Sequence, residues 1–430
     1  MYKDTNDGDE LNIAYRKIKN KILPLLFFCF MFSYIDRMNI SFAKIQMGHD
    51  LSFSNYIYGL GAGIFFIGYV LFEIPSNLLL SRFGAKLFIS RIMITWGIVS
   101  AATLFVTTPM QFYIMRFMLG VAEAGFFPGI ILYLTYWFPS HKIRSVTALF
   151  IMSIPASGIV GGLLSGVILD IFSDSKLMRS WQWLFLIEGI PSIFMGLIVF
   201  KYLPNGIASA KWLSDRDKYL LDREIKKDFG CKSTLNFFDL LKDWQVWSMI
   251  AMGCCFSIGM YGIIFWLPMI LKESGISDGL NVSLVSAIPW GTSILCMLIL
   301  SRLKSSKTNK HYYVVIPSML GALGLIMSVF FASNIVLAIL FLSIATSGVM
   351  CVFPGFWSLT SFLGGVAAVI GIALIIAMSN IAGFISPTLI GHIIDQTKST
   401  SSAVLLMALF IIIGGLIAYV LPIGRKYSEQ

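Results

Sequence analysis

An acid and a base stand side by side, Asp36 and Arg37, inside the first long apolar run of the chain, in the stretch FSYIDRMNISFA. Arg116 and Glu123 lie seven residues apart in another such run, about two helical turns, so their side chains share one face. An ionised group at the centre of a bilayer costs about 2.5–3.5 kcal/mol on insertion scales, and such groups pair or face a cavity. Two kinds of chemistry suit these four residues. A guanidinium clamps a carboxylate through two parallel hydrogen bonds, so Arg37 is read as an anion-binding residue; the alternative is a structural ion pair with Asp36 or another acid, or a place at the outer rim. Asp36 and Glu123 each feel burial and a neighbouring arginine, which act on a carboxyl proton in opposite directions. Both are read as proton carriers, the alternative being that each pair only neutralises itself and locks the helices. Glu73, in LFEIPSN, and Glu188, in WLFLIEGIPS, stand beside Pro75 and Pro191; they are expected to bond backbone groups freed by proline, or cytoplasmic arginines.

Nothing enzymatic accompanies these groups. There is no Ser/His/Asp set, metal-ligand cluster or phosphate-cradling glycine loop among the apolar runs, and only 4 His in all. Neither an enzyme, a metal site nor a cofactor is expected, protons serving as the coupling ion. The 6 Cys, with Cys254 and Cys255 adjacent and the rest scattered, read as small packing residues.

The elements that must position this chemistry are membrane helices. The 430-residue chain is 57% hydrophobic and 13% charged, with mean hydropathy +0.81, where a soluble domain carries about a quarter charged residues. A helix needs about 20 apolar residues to cross. Twelve runs qualify, near 22–42, 57–80, 87–107, 111–138, 146–170, 181–203, 244–271, 282–302, 312–331, 335–357, 367–390 and 402–422. One long polar segment divides them six and six. The expected organisation is a cytoplasmic tail 1–21, a bundle 22–203, a cytoplasmic linker 204–243 with short surface helices, a bundle 244–422 and a tail 423–430. No cleavage site follows the first run, so an uncleaved first span is expected. About 24 Lys and Arg fall on the side of the termini and five (Lys44, Lys176, Arg179, Lys272 and Lys398) on the other, which places both termini in the cytoplasm. The net charge of +10 then reflects loops facing anionic lipid rather than nucleic-acid binding. Six plus six spans around a polar linker suggest an all-α membrane protein of two packed six-helix bundles, the major facilitator arrangement. Gly59, Gly61 and Gly63, and Gly158, Gly162 and Gly166, suit close helix packing.

The wording YIDRMNISFA resembles the first span of the anion:cation symporters of the major facilitator superfamily. The resemblance continues through YGLGAGIFFIGYVLFEIPSNLLLSRFGAK, RIMITWGIVSAA, FYIMRFMLGVAEAGFFPGIILYLTYWFP and WQWLFLIEGIPS, and is similar to bacterial phthalate, tartrate and sugar-acid permeases. It implies that Asp36 and Glu123 couple protons, that Arg37 and Tyr69 contact substrate, that Asn380 completes the site from the second half, and that Arg116 positions the coupling acid. More loosely it implies that Tyr261, Trp266 and Trp357 line the cavity. The superfamily's inter-span signature stands here as NLLLSRFGAK, with Ser81 in place of Asp and Ala85 in place of a basic residue. Arg82, Gly84 and Lys86 remain as a conformational latch, expected to be weaker.

The expectation is a monomeric, proton-coupled importer of a small organic anion (sugar acid, dicarboxylate or aromatic carboxylate) in a bacterial inner membrane. The alternatives are an exchanger or Na⁺-coupled carrier on the same fold, and a transporter-derived anion sensor, for which the linker offers no evident output domain.

Overall fold

The computed structural model describes residues 2–139, 142, 146–147, 150–229, 242–276, 279–302, 312–360 and 365–420. The tail 423–430, most of the polar segment's second half, and Arg144, Lys304, Lys307 and Lys310 of the charge argument lie outside them. Among the described residues, twelve helical segments are long and apolar enough to cross a membrane. In chain order the helices are α1 (Tyr2–Leu51), α2 (Asn55–Phe83), α3 (Ala85–Ala102), α4 (Pro109–Glu123), α5 (Phe126–Thr135), α6 (Ser153–Ile171), α7 (Ser180–Tyr202), α8 (Asp215–Phe229), α9 (Trp244–Glu273), α10 (Gly279–Arg302), α11 (Tyr312–Phe330), α12 (Ile335–Leu359), α13 (Gly365–Thr397) and α14 (Ser401–Val420). Helices α1–α7 pack as one bundle and α9–α14 as the other, with α8 in the polar connection against α1.

Two boundaries differ from the sequence reading. Residues 2–21 of the expected tail are helical: α1 runs unbroken from Tyr2, and Ala14, Tyr15 and Ile18 are buried. Charged groups of α8 hold its outer face, through Lys17 to Asp217 at 2.8 Å and Arg216 to Glu10 at 3.1 Å. The fourth span is also not one helix. It breaks after Glu123, where Gly125 has φ +81°, a left-handed conformation that glycine adopts without steric cost. The Ser76 hydroxyl donates to the freed Ala124 carbonyl at 2.6 Å, which is how an interrupted helix keeps its backbone satisfied in an apolar setting.

Among the described residues, the bundles meet closely at the end where α1 finishes and α2 begins. There α2 lies on α13, α6 on α10 and α1 on α9. The glycines of the sequence reading make this seam. A methyl group at Gly59 would overlap the Pro387 carbonyl, and one at Gly158 the Trp290 ring, while Gly63 faces Phe384 and Gly166 faces Ser283. Gly61 instead admits Phe112 of its own bundle. Across the seam the Tyr58 hydroxyl donates to the Phe265 carbonyl at 2.9 Å. Asp395 accepts from the Asn55 and Tyr56 backbone N–H groups at 3.1 and 2.8 Å, so a carboxylate of one bundle caps the first turn of a helix in the other.

Candidate functional site

Between the bundles, on the far side of this seam, a cavity of about 100 Å³ is lined by both halves of the chain. Its first-bundle wall includes Phe30, Tyr34 and Arg37 of α1, Phe66 and Tyr69 of α2 and Phe127 of α5; its second-bundle wall includes Ser257 and Tyr261 of α9, Trp357 of α12 and Asn380 of α13. The positions along each helix put the space between mid-span and the end that carries the linker. Among the described residues, the molecule is thus closed at the α1–α2 turn, and its central cavity lies toward the opposite end.

Arg37 is 6% exposed and does not pair with its sequence neighbour. Its Nη2 donates to Glu123 Oε1 at 2.5 Å, and its Nε reaches the two carboxylate oxygens at 3.0 and 3.2 Å. The Ser33 hydroxyl adds a bond to the same Oε1 at 2.6 Å. The rings of Tyr34, Phe65 and Tyr69 lie 4.9, 5.0 and 5.4 Å from the guanidinium carbon; their electron-rich faces stabilise a cation that has little water around it. The charged group in the cavity wall is therefore an arginine whose fork is held by a carboxylate of its own chain.

Asp36 lies elsewhere, and the expectation that Arg37 is its neighbour in space is corrected. Consecutive residues of a helix do not face each other, so while Arg37 turns to α4, Asp36 turns to α3 and α7. Its carboxylate accepts from Trp96 Nε1 at 2.9 Å, the Ser100 hydroxyl at 2.8 Å and the Ser192 hydroxyl at 2.7 Å. It is not part of the cavity wall. The shared face of Arg116 and Glu123 yields no ion pair either. Arg116, 1% exposed, stacks 5.5 Å from the Phe65 ring, and its Nε and Nη2 find no acceptor among the described residues. Two turns of rise, about 10 Å, separate the two backbones.

In the second bundle, Tyr261, Trp357 and Asn380 reach the cavity as expected, with the Tyr261 hydroxyl 3.4 Å from Asn380 Oδ1 and Tyr261 edge-on to Phe66. Trp266 does not. Five residues on, it lies about 7.5 Å further along the axis, inside the closed seam against Tyr58 and Lys44. Of the latch residues, Arg82 is exposed over Phe83, Gly84 terminates α2, and the Lys86 backbone N–H donates to Asn205 Oδ1 while its side chain lies over Phe200; these contacts stay within the first half of the chain. Glu188 accepts from the Ser165 hydroxyl at 2.8 Å rather than from a backbone group or arginine.

Sequence reasoning missed Ser33 and Tyr34, although a spacing of four and three residues before Arg37 puts them on its face. It also missed the donors around Asp36, which come from two other helices and carry no local signal. Lys44 was placed in an outer loop; it is buried within α1.

The Major Facilitator Superfamily model matches residues 26–372, and the chain belongs to that superfamily of membrane transporters; it is not an enzyme. A protein of Pseudomonas putida named for metabolite transport, NicT, is 40% identical over 98% of this chain and 97% of its own length. A protein of Agrobacterium vitis named for tartrate transport is 38% identical over 94% of each chain. Among solved structures, a bacterial homologue of the human lysosomal transporter Spinster, inward-facing and occupied, superposes with a TM-score of 0.70 at 14% identity, over 94% of this chain and 96% of that one; this likeness concerns the fold.

Proposed function

We propose that the chain is a proton-coupled symporter that imports a small organic anion by alternating access, seated in a bacterial inner membrane with both termini in the cytoplasm. One observation carries the reading: Glu123 occupies the fork of Arg37 at the cavity wall. An arginine can hold one carboxylate in that bidentate way at a time. A proton on Glu123 removes its claim on Arg37, and the guanidinium then takes the carboxylate of the cargo. Release reverses the order: the anion departs toward the open end, Glu123 gives up its proton and returns to Arg37. With the termini inside, the conformation described here is the inward-facing one after release. Asp36, enclosed by neutral donors, is the second proton carrier, acting on the helices rather than on the cargo. Two protons with a monoanion carry one net positive charge inward, which gains about 2.3 kcal/mol per 100 mV. The kinship with a protein named for tartrate transport supports a carboxylate as cargo.

The test is uptake into proteoliposomes, with tartrate first and then a panel of sugar acids, dicarboxylates and aromatic carboxylates. An imposed inward proton gradient is expected to drive accumulation, and Glu123→Gln to abolish that accumulation while keeping counterflow. Uptake that ignores the pH gradient but follows Na⁺ or a trans anion would assign the chain to a Na⁺-coupled carrier or an exchanger instead.

A further inference from the structure

A second cavity, of about 410 Å³, opens at the closed end of the molecule. It lies within the size range of small-molecule sites, about 300–1,000 Å³, and both bundles build it. Lys44, His49 and Asn55 come from the first, Met269, Lys272 and Glu273 from the second. Its lining includes Lys44, a residue only 8% exposed. Lys44 Nζ donates to Asn55 Oδ1 at 2.7 Å, meets the Met269 sulfur, and lies 4.2 and 5.3 Å from the Trp266 and Tyr58 ring centres. Among the described residues it pairs with no carboxylate. A buried charge without a counter-ion is costly, and a neutral amide, a weakly accepting thioether and two rings offset that only in part.

The nearby acids are engaged elsewhere. Glu273 Oε2 accepts from the Thr400 hydroxyl and backbone N–H at 2.6 and 3.0 Å. Asp395 caps α2 and takes the Asn55 amide at 2.9 Å, so Asn55 stands between Lys44 and that carboxylate. Lys272, exposed, contributes a second cation from the opposite bundle.

We propose that this outer cavity is a docking site for a small dicarboxylate, one carboxylate on Lys44 and the other toward Lys272, ahead of and separate from the Arg37 site. It rests on the reading above in taking the bound anion to be cargo on its way inward; the binding itself is tested without transport.

His49 lines the cavity with a side chain 91% exposed, so a His49→Cys substitution supplies a reporter. Its labelling by a membrane-impermeant maleimide is measured in the full chain, as the difference from the chain without that substitution. Tartrate is expected to slow labelling, and to do so equally when Arg37→Gln is added. Adding Lys44→Gln is expected to raise the half-protecting concentration about tenfold or more, as loss of a charge-assisted bond would. Lys272→Gln, at an exposed position, is expected to raise it about threefold. Absence of protection by tartrate overturns the proposal. So does protection that survives both lysine substitutions unchanged, or protection that disappears with Arg37→Gln alone, which would mark it as an effect relayed from the inner site. Loss of proton-driven uptake in Glu123→Gln is read separately and bears only on the transport cycle.

Discussion

The two bundles share a fold and differ in what they bury. The first encloses Asp36, Arg37, Lys44, Glu73, Arg116, Glu123 and Glu188; the second, among its described residues, encloses serines, threonines and a glutamine but no charged side chain. Ionic chemistry in an apolar medium is strong and also expensive, and the chain confines it to one half. The other half presents Ser257, Tyr261, Trp357 and Asn380 to the same cavity, groups that shape and orient a ligand without titrating at neutral pH. On the function proposed above, this is a division of labour: coupling on one wall, selection on the other.

Substitutions break this comparison in a graded way. Arg37→Gln is expected to be the most damaging, lowering uptake efficiency by about 100-fold or more through loss of two charge-assisted hydrogen bonds. Arg37→Lys, which keeps the charge but not the planar fork, should recover only part of it; full recovery would refute bidentate binding. Next is Asp36→Asn. Because Asp36 touches Trp96, Ser100 and Ser192 and not the cavity, the pH dependence of uptake should flatten while the KM for the anion stays within about threefold. A tenfold rise in KM would place Asp36 in the binding machinery after all. In the second bundle, Asn380→Ala and Tyr261→Phe should each raise KM about three- to tenfold, as loss of a neutral hydrogen bond does, with the pH profile unmoved. A displaced pH profile in either variant would end the division of labour.

The smallest effect belongs to the surface. Burial pushes the Asp217 carboxyl up, but hydrogen bonds from Lys17 and Ser214 outweigh it, so the group sits below the usual carboxylate range. A depressed carboxyl stabilises the fold above its unfolded pKa, about 3.9, and that contribution fades as pH falls through the lower folded value. Lys17 is 43% exposed, which limits the pair to at most about 1 kcal/mol. Asp217→Asn should therefore lower Tm by about a degree or two at pH 7 and leave it unchanged in strong acid.

Much of the fold was legible because the bilayer sets run length, which is a local property of sequence. The twelve spans, the central polar segment and the packing role of Gly59, Gly158 and Gly166 could all be read that way. The lining of the cavity was legible residue by residue but not pairwise. Arg37, Tyr69, Tyr261, Trp357 and Asn380 reach the cavity. Which acid meets Arg37 depends on how α4 stands against α1, and no periodicity within either helix reports that. Asp36 was misplaced because adjacency in the chain suggested adjacency in space, whereas successive side chains on a helix diverge by about 100°. Trp266 was misplaced in depth along an otherwise correctly read helix. Lys44 was hidden by charge counting, which treats a lysine near the end of a run as a loop residue.

The interruption at Gly125 matters for how the cavity can change shape. Glu123 closes α4 and Phe127 lies in the first turn of α5, so the group that holds Arg37 and an aromatic ring of the wall ride on separate rigid rods joined by two residues. Tilting the lower rod can narrow or widen the chamber without dragging the carboxylate off its guanidinium. A continuous span would force those two events to happen together; replacing Gly125 by Ala, which resists the left-handed backbone, is expected to fuse them and slow the cycle more than it weakens binding.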